Sequence, residues 1–112
     1  MEQRFLKFQE SKQAAVKLAI AAEDFYSAAT PPEYLSVYCE YLRSRLRPAA
    51  ELLVRQEDTD RLQKLWDLQC FPEGMLNELL KLSSREKKNA SYMWLLRKKG
   101  ESFGFPPRDY SL

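Results

Sequence analysis

The stretch Thr30-Pro31-Pro32-Glu33 constrains the fold more than any other part of the chain. Adjacent prolines cannot sit inside a helix or a central strand, but they suit a first helical turn, where no intrahelical N–H is needed. Thr as the N-cap and Glu at the third helical position complete a capping box. A helix therefore begins at Pro31. The rest of the chain favours the same class: it has only three glycines, and Leu, Ala, Glu, Lys, Arg and Gln dominate. No segment alternates apolar and polar residues with period two over a useful length. The expected fold is all-α, with five or so helices in a compact bundle or in stacked antiparallel helix pairs. Residues 1–100 form the single domain, large enough for a core without staples. Residues 101–112 form an extended aromatic and Pro-bearing tail.

Ahead of the prolines, Phe5, Phe8, Ala15, Ala19, Ala22 and Tyr26 recur at three- and four-residue steps, interrupted at Lys12. That periodicity predicts one long helix from Glu2 to Ala28. Beyond them, Leu35, Tyr38, Cys39, Leu42 and Leu46 mark one face, which continues to Ala49, Ala50 and Leu53. Pro48 breaks that helix near Arg47, because it removes a backbone donor and clashes with the preceding turn. Asp58-Thr59 opens the next helix, and Phe71-Pro72-Glu73-Gly74 separates it from another. Asn89 is the candidate for a left-handed turn residue, and the last helix runs from Ala90 to Lys99 and stops at Gly100. A break at Ser83, with Glu86 completing a second capping box, is the rival.

Glu51-Leu52-Leu53 precedes Leu65-Trp66 much as Glu78-Leu79-Leu80 precedes Met93-Trp94, an offset of 27 residues that becomes 28. Each stretch reads as a helix, a short polar turn and a second helix, the pattern of stacked helix-pair arrays. "LSSREKKN" (residues 82–89) resembles the end of an ankyrin first helix and its turn. "ASYMWLLRKKG" (residues 90–100) resembles the second helix, with Trp94-Leu95-Leu96 as its apolar triplet and Gly100 as its terminal glycine. The Thr-Pro-Leu-His opening of that family is absent, so the resemblance is to the helix pair alone. It implies stacked antiparallel pairs and a role in binding proteins.

The side chains argue against catalysis. There is no His, so the commonest general base at neutral pH is missing, and with only Cys39 and Cys70 a zinc site is excluded. No glycine-rich phosphate loop exists. Glu57, Asp58 and Asp60 lack the glycine and glutamate of a calcium loop, since Gln63 and Gln69 hold those places, and read instead as a helix-start cap. The expectation is a non-enzyme with no cofactor and no metal. The cysteines read as reduced, half-buried thiols. The run from Ala14 to Ala22 is interrupted by Lys17 and followed by Glu23 and Asp24, so no signal or membrane segment is expected, and the chain reads as cytoplasmic.

Three features bear on binding. Tyr34, Tyr38 and Tyr41 share a helix face, either covering the bundle or presenting an aromatic contact surface. The tail carries Phe103, Phe105 and Tyr110, which either fold back or meet a partner. Between Lys81 and Lys99 lie seven basic residues against one acid, Glu86, leaving the remainder of the chain at about −4 of the +2 total. In a helix hairpin these cations divide between its two ends, and Lys81 returns to the level of Arg97. The candidate partner-binding residues are therefore Lys81, Arg97, Lys98 and Lys99, with Phe103, Phe105 and Tyr110. The leading function is a protein–protein interaction module, with self-association open. The alternative is a nucleic-acid-binding accessory protein that uses the basic C-terminal half.

Overall fold

The computed structural model describes residues 2–104. Within them the chain forms α1 (Glu2–Glu10), α2 (Ala14–Asp24), α3 (Pro32–Ser44), α4 (Leu46–Gln56), α5 (Thr59–Leu68), α6 (Glu73–Arg85) and α7 (Asn89–Phe103). There is no strand among the described residues. The all-α class holds, but the described residues contain seven helices rather than five or so. Phe105 and Tyr110, expected to bind a partner, and most of the expected tail lie outside the described residues.

The helices depart from expectation in two places. The first is Ser11-Lys12-Gln13, where the expected long helix folds back on itself. Ser11 closes the turn by accepting the Gln13 N–H on Oγ at 3.1 Å. Folding back lets α1 deliver its aromatic rings to α3. Phe5 stacks on Tyr34 with centroids 4.0 Å apart, and Phe8 meets Tyr38 and Tyr41 edge-on, each at 5.1 Å. A continuous helix would have carried Phe5 and Phe8 into solvent, and burying an aromatic side chain contributes roughly 1.5–3 kcal/mol. Arg4 locks the return, with Nε donating to both Asp24 oxygens at 3.0 and 2.9 Å and Nη2 reaching Glu23 at 2.8 Å. Buried Asp24 also accepts the Tyr38 hydroxyl at 3.3 Å, while Thr30 Oγ1 donates to the Asp24 carbonyl at 2.6 Å. The tyrosine stripe is thus covered by α1.

The second place is Arg45, whose φ of −128° and ψ of 40° separate α3 from α4. The break falls two residues before the expected Arg47, which puts Pro48 in the first turn of α4, where its missing N–H costs nothing. The α3 start at Pro32 is one residue later than expected. Asp58 caps α5 as its sequence context predicts, accepting the Arg61 N–H at 3.0 Å.

From α4 onward the chain forms two helix hairpins, α4–α5 and α6–α7, and the second packs on α4 and α5 of the first. Their turns share one geometry. Glu57 and Lys87, 30 residues apart, take left-handed conformations with φ of 54° and 58°. Asp58 N–H then donates to Leu53 and Glu57 N–H to Val54, at 3.1 and 3.0 Å, while Lys88 N–H donates to Ser83 and Lys87 N–H to Ser84, at 2.8 and 3.2 Å. Both are Schellman closures. Several sequence expectations change here. The left-handed residue is Lys87 rather than Asn89, which begins α7, and no break occurs at Ser83. The two hairpins correspond at an offset of 30, not 27 or 28. Trp66 and Trp94 are not equivalent positions but touch edge to face, with centroids 6.3 Å apart. Finally, α7 continues through Gly100 to Phe103 and ends at Gly104, whose φ of 73° suits glycine.

Candidate partner-binding face

The contacts that seat the second hairpin on the first define one face of α4–α5. The Ser91 hydroxyl donates to the Val54 carbonyl at 2.8 Å, Arg55 pairs with Glu86 at 3.3 Å, and Glu57 Oε1 accepts the Ala90 N–H at 2.9 Å. Arg47 reaches Glu78 at 3.8 Å. Val54 and Ala50, one turn earlier on the same side, are fully buried, as is Leu62 of α5. This face is covered.

Moving 30 residues along the chain gives the corresponding face of α6–α7. Ala50, Val54 and Leu62 become Leu80, Ser84 and Tyr92, while Glu51, Arg55 and Glu57 become Lys81, Arg85 and Lys87. Here the face is open. Leu80, Lys81, Ser84, Arg85 and Tyr92 line a hollow of about 390 Å³, with Leu80 and Tyr92 half-buried and Lys81, Ser84 and Arg85 exposed. Lys81 leans toward Glu78 at 3.9 Å. Arg85, Lys87 and Lys88 form no ion pair among the described residues.

The four basic candidates do not converge. Lys81 lines the hollow just described, whereas Arg97 lines another with Thr59, Ala90, Met93 and Trp94. In a hairpin centred on Lys87, six residues back from the turn lies level with six residues forward, so Lys81 stands opposite Met93 and not Arg97. Lys98 turns inward. Its ammonium lies over the Trp66 and Trp94 rings at 5.7 and 5.6 Å and within 3.6 Å of Glu101, with only 13% of the side chain exposed. Lys99 is half-buried, and Phe103 is exposed on the last turn of α7. Arg85 and Tyr92, which frame the open hollow with Lys81, were missed as binding candidates. Their signal is legible only once the offset is known to be 30.

Other chemistry is sparse. No group of three acidic, Cys or His side chains among the described residues could hold a metal. Both cysteines are free, with Cys39 half-buried and Cys70 exposed rather than half-buried as expected. Burial pushes the Cys39 thiol upward, which Arg43 and Lys64 only partly oppose, so it stays protonated at neutral pH and is a poor nucleophile. A hollow of about 560 Å³ floored by Phe25 and Leu68 lies beside Cys39, with Asp60, Lys64 and Asp67 among its lining. No helix among the described residues is long and apolar enough to cross a membrane.

The described residues therefore form an all-helical bundle whose second hairpin carries a predominantly cationic face that no other described helix covers. No protein-family model matches it, and neither does any curated protein or solved structure.

Proposed function

We propose that the protein is a non-catalytic helical interaction module that binds another protein through the open face between α6 and α7. In this reading α4–α5 and α6–α7 are two copies of one stacked antiparallel unit, which is all that the ankyrin-like helix-pair resemblance asks for. One observation carries the reading. The face that seats α6–α7 on the first hairpin is fully buried at Ala50, Val54 and Leu62, and at its counterpart Leu80 and Tyr92 stay half-buried and Ser84 exposed among the described residues. Surfaces with half-buried apolar side chains inside a polar rim are the usual form of a partner site.

A photo-crosslinking residue placed at Ser84 tests this in cells that express the full chain. Discrete adducts are expected from position 84 and not from Glu40, an exposed control on α3. The adducts should fade when Arg85→Glu is added. Equal labelling from both positions, or none from position 84, refutes the reading.

The second reading is a nucleic-acid-binding accessory protein, which rests on the unpaired cations Arg85, Lys87 and Lys88. It draws less support because Lys81 and Lys98 each have a carboxylate partner and Lys98 is turned inward. Binding of generic RNA or DNA that collapses with salt, and with Lys87→Ala and Lys88→Ala, would favour it.

A further inference from the structure

We infer that the open face takes an acidic amphipathic helix of a partner protein, laid along the groove between α6 and α7. The inference rests on the reading of that face as the binding surface and adds the chemistry of what it binds. The covered face shows how such a groove is used. It receives α6–α7 by pairing Arg55 with Glu86 and by presenting the Glu57 carboxylate to the Ala90 N–H at the start of α7. The open face keeps the first device, because Arg85 stands where Arg55 stands. It reverses the second, since Lys87 replaces Glu57 and Lys81 replaces Glu51. A cation at that place repels the positive N-terminus of an incoming helix and favours a carboxylate or a helix C-terminus.

The hollow lining contains two cations and no carboxylate, above the half-buried Leu80 and Tyr92. Lys81 and Arg85 are one helical turn apart, about 6 Å along the axis. Carboxylates at i and i+4 on a partner helix would meet both, while apolar residues on the adjoining stripe would cover the floor.

Two other occupants fit worse. A second copy of the chain cannot repeat the covered contact, because the inner face of its own α6–α7 already lies on α4. In a face-to-face dimer Lys81, Arg85 and Lys87 would oppose their own counterparts. A nucleic-acid backbone satisfies the cations but leaves the Leu80 floor uncovered.

The test is selection from a displayed library of helix-forming peptides, roughly 15 residues or four turns long, against the full-length folded chain. Enriched peptides should be net acidic, with Asp or Glu four residues apart beside an apolar stripe. They should shift the amide resonances of Ser84 and Tyr92, and lose about tenfold in affinity when Lys81→Glu or Arg85→Glu is introduced. Both variants lie on exposed positions, and circular dichroism checks that they remain folded. Neutral or basic peptides that still map to Ser84 and Tyr92 overturn the acidic-helix inference and leave the binding face standing. Enriched peptides that map elsewhere, or no enrichment, overturn both. A single-stranded RNA oligonucleotide that displaces the selected peptides and binds more tightly overturns the inference in favour of nucleic acid.

Discussion

Glu57 and Lys87 close equivalent turns in the left-handed conformation, so replacing each with glycine isolates what their side chains contribute. A side chain in that conformation costs about 1–2 kcal/mol, which glycine avoids. Glycine returns roughly 0.5–1 kcal/mol of that gain as extra freedom in the unfolded chain. For Lys87, which is exposed and forms no ion pair among the described residues, Lys87→Gly should therefore stabilise by about 0.5–1 kcal/mol. Glu57→Gly relieves the same strain but removes the carboxylate that accepts the Ala90 N–H at 2.9 Å. An acceptor of this kind at a helix N-terminus is worth about 0.5–1 kcal/mol. Glu57→Gly should come out near zero, roughly 1 kcal/mol below Lys87→Gly. Urea denaturation reads the difference as a change in midpoint at constant slope. Thermal melts should separate the variants by about 4 °C. A destabilising Lys87→Gly, or a Glu57→Gly that gains as much, would falsify the account of both turns and of the capping contact between hairpins.

Val54→Asp and Ser84→Asp make the same change at corresponding positions; the first should cost at least about 4 kcal/mol and leave little folded protein by circular dichroism, the second less than about 0.5. Phe8→Ala should destabilise by about 3–5 kcal/mol and free α1, seen as loss of hydrogen-exchange protection across Glu2–Glu10. The Tyr38 hydroxyl is pushed up to about 12 by burial, and secondarily by the Asp24 carboxylate. Because the folded value lies above the unfolded value of about 10, its contribution is complete below pH 10 and is lost as pH rises toward 12. In a phenolate absorbance titration a late step near pH 12 is therefore expected from Tyr38, and Tyr38→Phe should remove it. Asn89→Pro should cost less than about 1 kcal/mol in urea, because Asn89 is the first residue of α7, where proline is tolerated; a large loss would contradict that placement.

Much of the architecture was legible because its punctuation is chemical. The Asp58 cap and Pro72 fix helix starts by what their side chains can or cannot donate and accept, and both are where the sequence puts them. The break after α3 was read two residues late, because Pro48 is equally at home anywhere in a first turn. The return at Ser11-Lys12-Gln13 was not read at all. It contains no glycine or proline, and a single Ser hydroxyl on a neighbouring N–H is a weak local preference that only the packing of Phe5 and Phe8 makes decisive. The left-handed residues were hidden for a related reason. Glu and Lys pay for that conformation and carry no signal of it, so the tryptophans are the more visible markers and set the repeat two to three residues off register. Centring the second turn on Asn89 instead of Lys87 is what puts Lys81 level with Arg97. The proposed binding face depends on which of two similar faces is covered, a tertiary fact that no local pattern records.

A terminal face that only had to remain hydrated could mix its charges, and the edge formed by Arg47, Glu51 and Glu78 does so, with separations of 3.5 and 3.8 Å. The open face is more lopsided. Relative to the covered one it converts Glu51 and Glu57 to Lys81 and Lys87 while retaining the arginine, and the carboxylate in reach of these cations is Glu78, 3.9 Å from Lys81. Like charges one turn apart on a helix destabilise it by about 0.2–0.5 kcal/mol per pair. Leu80 and Tyr92 remain partly wet beside them. Both costs vanish together when an apolar stripe flanked by carboxylates arrives, and a neutral apolar partner or a bare polyanion would relieve only one. The conjunction of a predominantly positive rim with an apolar floor left open among the described residues, more than the count of basic residues, is the ground for proposing an acidic helix there.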